Sequence, residues 1–342
     1  MDTLLEQLPI PLLVWYRENA RVLPWRSAPA PYHVWLSEIM LQQTRVAAVL
    51  DYYRRFLDAL PTVEDLAECP EDQLMKLWQG LGYYSRARNL QKAARQIVDR
   101  GSFPSRYEDL RTLAGVGDYT AGAIASIAFG QPVPAVDGNV LRVVARITGD
   151  SSDIASPAFK KQVTQKLAQV IPAKAPGDFN QAMMELGAVV CLPNGAPLCE
   201  KCPAAGFCRA RLEDRTGELP VKAPKKPRKI EKRTVFLLFY ENQVALRRRP
   251  ERGLLAGLWE YPNELSGVDW SFFGLRPGET WHVGTGKHIF SHIEWHMTGL
   301  AALADGPELP EGWVWAGRRE LRERYAVPSA FRAFQARVEE GL

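Results

Sequence analysis

The sequence lacks any apolar run approaching the roughly 20 residues that a membrane-spanning helix requires, and its acidic opening, MDTLLEQL, lacks the basic stretch of a secretory signal. A soluble, cytoplasmic protein with no membrane partner is therefore expected. Cysteine is scarce, with five residues in 342, and four of them crowd between Cys191 and Cys208. In a cytoplasmic chain that crowding points to a metal site and not to a disulfide framework. An excess of one charge is also missing: 43 Lys and Arg stand against 39 Asp and Glu, a net charge of +4 that permits an acidic partner such as nucleic acid without demanding one. No fixed-period repeat runs through the chain.

A chain of this length, 46% hydrophobic, can bury a substantial core and suggests two domains. Up to about residue 210 the pattern is helical, as in Val46, Val49, Leu50, Tyr53, Phe56, Leu57 and Leu60, which recur at three- and four-residue steps before Pro61. Ser156 with Pro157, and Asp178 ahead of FNQAMMELGAVV, announce further helices. The expected organisation is an all-α domain over 1–214, a Pro- and Lys-rich linker over 215–232, and a smaller α+β domain over 233–342. The linker is either a solvated tether or a DNA contact. Two β-rich runs around Glu241 and Asn242 read as a hairpin.

In LAGVG, Gly115 and Gly117 flank Val116 directly before a small-residue helix expected from about Thr120. Two glycines give the backbone unusual freedom and let a ligand approach, while the helix amides point at whatever sits there, so the turn suits an anion such as phosphate.

The stretch LAGVGDYTAGA resembles the helix-hairpin-helix of the endonuclease III superfamily of DNA glycosylases, in which the hairpin amides hold a DNA phosphate without reading sequence. VDGNVLRVVARI resembles the segment with that family's catalytic aspartate, and the four cysteines resemble its iron-sulfur loop. LPWR (23–26), VWLSEIMLQQTRV (34–46) and GLGYYSRARNL (80–90) are similar to the adenine-specific branch, the MutY family. The resemblance implies a helix-hairpin-helix glycosylase domain with an iron-sulfur loop at 191–208. It implies excision of adenine opposite 8-oxoguanine or guanine in base excision repair, with mispaired double-stranded DNA as partner and the protein acting as a monomer. Bifunctional members carry a lysine where this chain has Tyr119; a phenol cannot form a Schiff base, so the implied enzyme removes the base without cutting the strand.

Hydrolysis of an N-glycosidic bond calls for a proton on the departing base and negative charge beside the sugar. Glu38 has Val34, Trp35 and Leu41 at neighbouring helical positions, an apolar setting that would raise its pKa and suit an acid. Asp137 precedes a helix, where amides and dipole favour the ionised form. From the residues alone, a surface glutamate and an ordinary N-cap remain open. The resemblance implies that Glu38 protonates adenine and that Asp137 stabilises or captures the sugar carbon, with Tyr119, Asn139 and Glu185 in support. It further assigns Trp25 and Arg26 to the adenine side, and Gln43, Leu81 and Tyr83 to wedging and stacking at the mispair. From the residues alone Leu81 and Tyr83 could pack in a core between helices, but Gly80 and Gly82 on either side favour an exposed loop.

The cysteine pattern C-x7-C-x2-C-x5-C, through Cys191, Cys199, Cys202 and Cys208, suits zinc or a cubane cluster by spacing alone. The resemblance selects a 4Fe–4S cluster, although the family usually has six residues in the first interval and LPNGAPL supplies seven. Cys69 stands apart as a small buried hydrophobe. RRRPERGLLAGLWEYPNEL and FSHIEWHM resemble a Nudix-like domain. The closely spaced glutamates of an R-E-x-x-E-E helix are missing from SGVDWSFFGLRPGE, so that domain is expected to bind and not to hydrolyse. By resemblance Phe290, Ser291 and His292 inspect 8-oxoguanine; the residues around them also alternate as a half-buried strand would. His288 and His296 are expected on the surface or in a strand.

Overall fold

The computed structural model describes residues 3–27, 29–224 and 227–341. Two compact units form, one from Met1–Ala67 with Asn89–Pro224, the other from Glu68–Arg88 with Lys225–Leu342. Lys225 and Lys226 of the basic linker lie outside the described residues.

The first unit contains no strand among its described residues. Its core gathers Leu12 from helix Pro9–Asn19 and Leu8 just before it, Val140 and Val144 from Gly138–Thr148, and Phe179, Met183 and Leu186 from Pro176–Val189, each of them buried. Two starts differ from the sequence expectation. The helix after the glycine turn begins at Asp118, not Thr120, and the helix assigned to Asp178 begins at Pro176, whose fixed φ suits a first helical position. Cys69, which belongs to the second unit, is buried as expected.

The second unit is built on a mixed sheet: β1 Lys229–Tyr240, β2 Gln243–Arg248, β3 Trp259–Glu260, β4 Asn263–Leu265, β5 Thr280–Ile289, β6 Ile293–Leu303 and β7 Trp313–Ala316. The order is β3-β2-β1-β6-β5, with β4 paired to β1 and β7 to β2. β1 and β2 form the expected hairpin about Glu241 and Asn242, with Tyr240 opposite Gln243. β1 starts four residues inside the expected linker because its first residues pair in parallel with β6, Lys229 opposite Ile293. Its side chains alternate between two cores. Val235, Leu237 and Phe239 face Phe331 and Phe334, while Phe236 and Leu238 face Trp270. Between β4 and β5 the described chain makes a 3-10 turn, Trp270–Phe273, where a Nudix enzyme would need its glutamate-bearing helix.

Glu68–Arg88 belongs to this second unit through polar contacts to backbone. Gln79 Nε2 donates to the Val327 carbonyl at 2.7 Å, Lys76 Nζ to Leu321 at 2.8 Å and Arg88 Nη2 to Ala256 at 2.7 Å.

Candidate active site and DNA interface

A cavity of 930 Å³ in the helical unit is lined by Trp25, Arg26, Glu38, Gln43, Tyr119, Asp137, Asn139 and Glu185. Glu38 lies on helix Pro31–Leu41 beside the buried Val34 and Trp35, and is itself 6% exposed. The Tyr119 hydroxyl donates to Glu38 Oε2 at 2.5 Å, with Met184 Sδ 3.0 Å from the Tyr119 hydroxyl oxygen. Burial pushes the Glu38 carboxyl up to about 7; the nearby Asp137 charge adds to that, while the Tyr119 hydrogen bond and Arg26 oppose it. Burial and the Glu38 charge raise the Tyr119 phenol, so it stays protonated as a donor.

Asp137 caps helix Gly138–Thr148: Oδ1 accepts the Val140 N–H at 2.8 Å and Oδ2 accepts from Asn139 Nδ2 at 2.8 Å. The sequence reading gave this carboxylate an environment favouring ionisation, and that expectation needs correction. Burial outweighs the Val140 and Asn139 hydrogen bonds and the Arg142 charge, so the Asp137 pKa is raised. Asn139 has a second partner besides Asp137. Its Oδ1 accepts from Arg142 Nη2 at 2.8 Å, and Arg142 Nε reaches the Cys191 carbonyl at 2.9 Å.

Glu185 is fully buried and held by two guanidinium groups, Arg21 Nε to Oε1 at 2.6 Å and Arg26 Nη2 to Oε2 at 2.8 Å. Burial works to raise its pKa, but the Arg21 and Arg26 hydrogen bonds prevail and hold the carboxylate below its usual range. Sequence reasoning missed Arg21, Met184 and Arg142. Arg21 meets its partner across 164 positions of sequence, and no local pattern announces such a pair. Trp25 is buried with its edge toward Tyr53, ring centroids 5.1 Å apart.

At the glycine turn, Gly115 has φ +73°, and a Cβ there would meet the Asn89 Cβ at 2.7 Å. Gly117 differs from the expectation: its φ of −92° is open to any residue. What it provides is space, since nothing lies within 4 Å of a Cβ built there. No side chain caps helix Asp118–Ile127, so its first amides are left for a ligand, beside the buried Val116. Gln43 is exposed at φ 58°, an unusual conformation that often marks a functional position.

Cys191, Cys199, Cys202 and Cys208 line one small pocket with Val143, Leu186 and Val190. Arg146 Nη1 lies 3.3 Å from Cys191 Sγ. Among the described residues, no group of three or more His, Cys, Asp or Glu is drawn together closely enough to hold a metal ion as it stands.

In the second unit, Phe290–His292 is the turn joining β5 to β6, not strand, closed by the Phe290 N–H on the Ile293 carbonyl at 2.8 Å. The Phe290 ring packs on His288 and Trp295, at 4.6 and 4.9 Å between centroids, while Ser291 and His292 are exposed. His288 lies on β5, half-buried, and His296 on β6. Ser291 Oγ is 3.2 Å from the Tyr83 hydroxyl. Tyr83 is exposed at φ 47°. Leu81 is not: it is 6% exposed, which overturns the expected exposed loop at that position.

Residues 36–173 match the model of the HhH-GPD superfamily base excision DNA repair protein, and residues 234–337 match that of the NUDIX domain. Human adenine DNA glycosylase is 36% identical over 95% of this chain and 73% of its own length. The chain belongs to the adenine DNA glycosylase family. Another adenine DNA glycosylase, from Schizosaccharomyces pombe, is 33% identical over 96% of this chain and 88% of its own. Among solved structures, a thermostable thymine-DNA glycosylase superposes with a TM-score of 0.55 at 26% identity, covering 62% of this chain and 98% of that one. Endonuclease III in a non-covalent DNA complex gives 0.52 at 25%, covering 61% and 97%. As a member of the adenine DNA glycosylase family, the chain is a DNA glycosylase with a helical HhH-GPD domain and a Nudix-like domain.

Proposed function

We propose that this chain hydrolyses the N-glycosidic bond of adenine mispaired with 8-oxoguanine, or less effectively with guanine, leaving an abasic site in base excision repair. The observation that carries the reading is Glu38, buried on the cavity wall with its pKa near 7 and sharing that cavity with Asp137. An acid so poised holds a proton at neutral pH and can give it up. Glu38 protonates a ring nitrogen of adenine, the bond to the sugar breaks with its electron pair passing to the base, and water adds to the sugar carbon as its proton returns to Glu38. Asp137, ionised when the sugar turns cationic, stabilises that charge or captures the carbon transiently. Tyr119 orients Glu38, Asn139 orients Asp137, and Glu185 with Trp25 and Arg26 lines the side that receives the base.

Gly115, Val116 and Gly117 supply the turn that holds a DNA phosphate. Gln43 and Tyr83 fill the gap left by the flipped base; the buried Leu81 is not assigned that part. Phe290, Ser291 and His292 face 8-oxoguanine. Cys191, Cys199, Cys202 and Cys208 would hold a 4Fe–4S cluster: four sulfur donors around one pocket, with the Arg146 cation beside the first, suit that anionic group. When bound, the cluster ties the loop to the helical core. The reading assigns the work to a cytoplasmic monomer.

Single-turnover base release from 8-oxoguanine:adenine, guanine:adenine and thymine:adenine duplexes tests it. Release in that order, lost in Glu38→Gln with duplex binding retained, supports the proposal. Equal release from all three duplexes contradicts the mispair specificity.

A further inference from the structure

The second unit contains a cavity of its own, of 590 Å³, within the range of about 300–1,000 Å³ typical of small-molecule sites. Four cations line it, Lys76, Arg318, Arg322 and Arg332, against one carboxylate, Glu339. Two of the four are committed to the fold. Lys76 Nζ donates to Gln79 Oε1 at 2.5 Å as well as to Leu321, and Arg318 Nη2 donates to the Glu339 carbonyl at 2.6 Å. The guanidinium groups of Arg322 and Arg332 have no hydrogen-bond or ion-pair partner among the described residues.

Tyr261 supplies an independent observation. Its side chain follows β3, lines the cavity and is only 4% exposed, yet its hydroxyl has no hydrogen-bond partner among the described residues. Burial, with the Glu339 charge, raises this phenol, so it remains a donor at every physiological pH. The hydroxyl is accessible from the cavity, so a ligand seated there can accept from it.

We propose that this cavity binds a small phosphate-bearing ligand, with Arg322 and Arg332 carrying its charge and the Tyr261 hydroxyl donating to it. Two uncommitted guanidinium forks suit a dianionic oxyanion better than a single carboxylate. The ligand is a small molecule and not the backbone of duplex DNA, since Tyr261 is recessed in the cavity at 4% exposure.

The test uses the full chain, free of DNA, with inorganic phosphate, pyrophosphate and ATP as probes in titration calorimetry. At least one probe binds saturably at one per chain, weakened about ten-fold in Tyr261→Phe and at least as much in the double variant Arg322→Gln/Arg332→Gln. Base release and the melting temperature without probe stay unchanged. Binding of phosphate or pyrophosphate identifies a free oxyanion as sufficient; binding of ATP alone identifies a nucleoside phosphate. Tyr261→Phe, which removes one oxygen, keeps the test readable if the arginine variant fails to fold. The proposal is overturned if no probe binds, if binding is indifferent to both variants, or if acetate competes as well as phosphate.

Discussion

The Tyr119 hydroxyl donates a 2.5 Å hydrogen bond to Glu38 Oε2, joining residues 81 positions apart in the sequence. Burial, with the Glu38 charge, keeps the phenol protonated, and burial, with the Asp137 charge, draws the Glu38 carboxyl up to about 7 against the pull of this hydrogen bond.

Base release under single-turnover conditions should therefore fall as pH rises through about 7, as Glu38 loses the proton it must donate. Stability follows the same titration. Between its ordinary 4.5 and about 7, folded Glu38 holds a proton that the unfolded chain has released, so stability falls as pH rises across that window. The loss above it is about 3 kcal/mol. Glu38→Gln should melt with the parent protein near the acid end and gain an advantage of that order around pH 8, measured by denaturant unfolding at both, while base release drops by about 100-fold or more.

Tyr119→Phe removes a hydrogen bond that lowers the Glu38 pKa. The alkaline fall in the pH–rate profile should move to higher pH while the acid side is unchanged. An unmoved profile would show that Tyr119 has no hold on the Glu38 proton.

Arg21 and Glu185 form an ion pair that no local sequence pattern announces. Arg21→Met leaves the buried carboxylate with Arg26 alone and should cost about 1–2 kcal/mol of stability. Glu185 should lose part of its depression, so the loss is larger at neutral pH than in acid. Urea unfolding at the two conditions measures it.

Gly115→Ala and Gly117→Ala should behave differently. The first forces a side chain onto φ +73° and into Asn89, at a cost of about 1–2 kcal/mol, visible in the melting temperature. The second has an ordinary backbone and open space, so it should fold normally and weaken duplex binding alone. Calorimetric melting and a fluorescence anisotropy titration separate the two effects.

What the sequence made legible was local. The Asp137 cap, the β1–β2 turn at Glu241 and Asn242, and the apolar setting of Glu38 each follow from residues within a few positions. What it did not reveal depends on distant chain. The raised pKa of Asp137 comes from burial among packed helices, which local capping rules do not contain. The parallel pairing of Lys229 with Ile293 pulls four residues out of an apparent linker, and the burial of Leu81 contradicts the glycines on either side of it. The two glycines of LAGVG look equivalent in sequence, yet one serves backbone conformation and the other free space.

The most direct test of the account is single-turnover adenine release from a duplex with one 8-oxoguanine:adenine pair, scoring strand breakage before and after alkali. Release accompanied by breaks only after alkali is the predicted result, because Tyr119 offers no amine to open the sugar. Breaks without alkali, or no release by a folded, cluster-loaded protein, would contradict it.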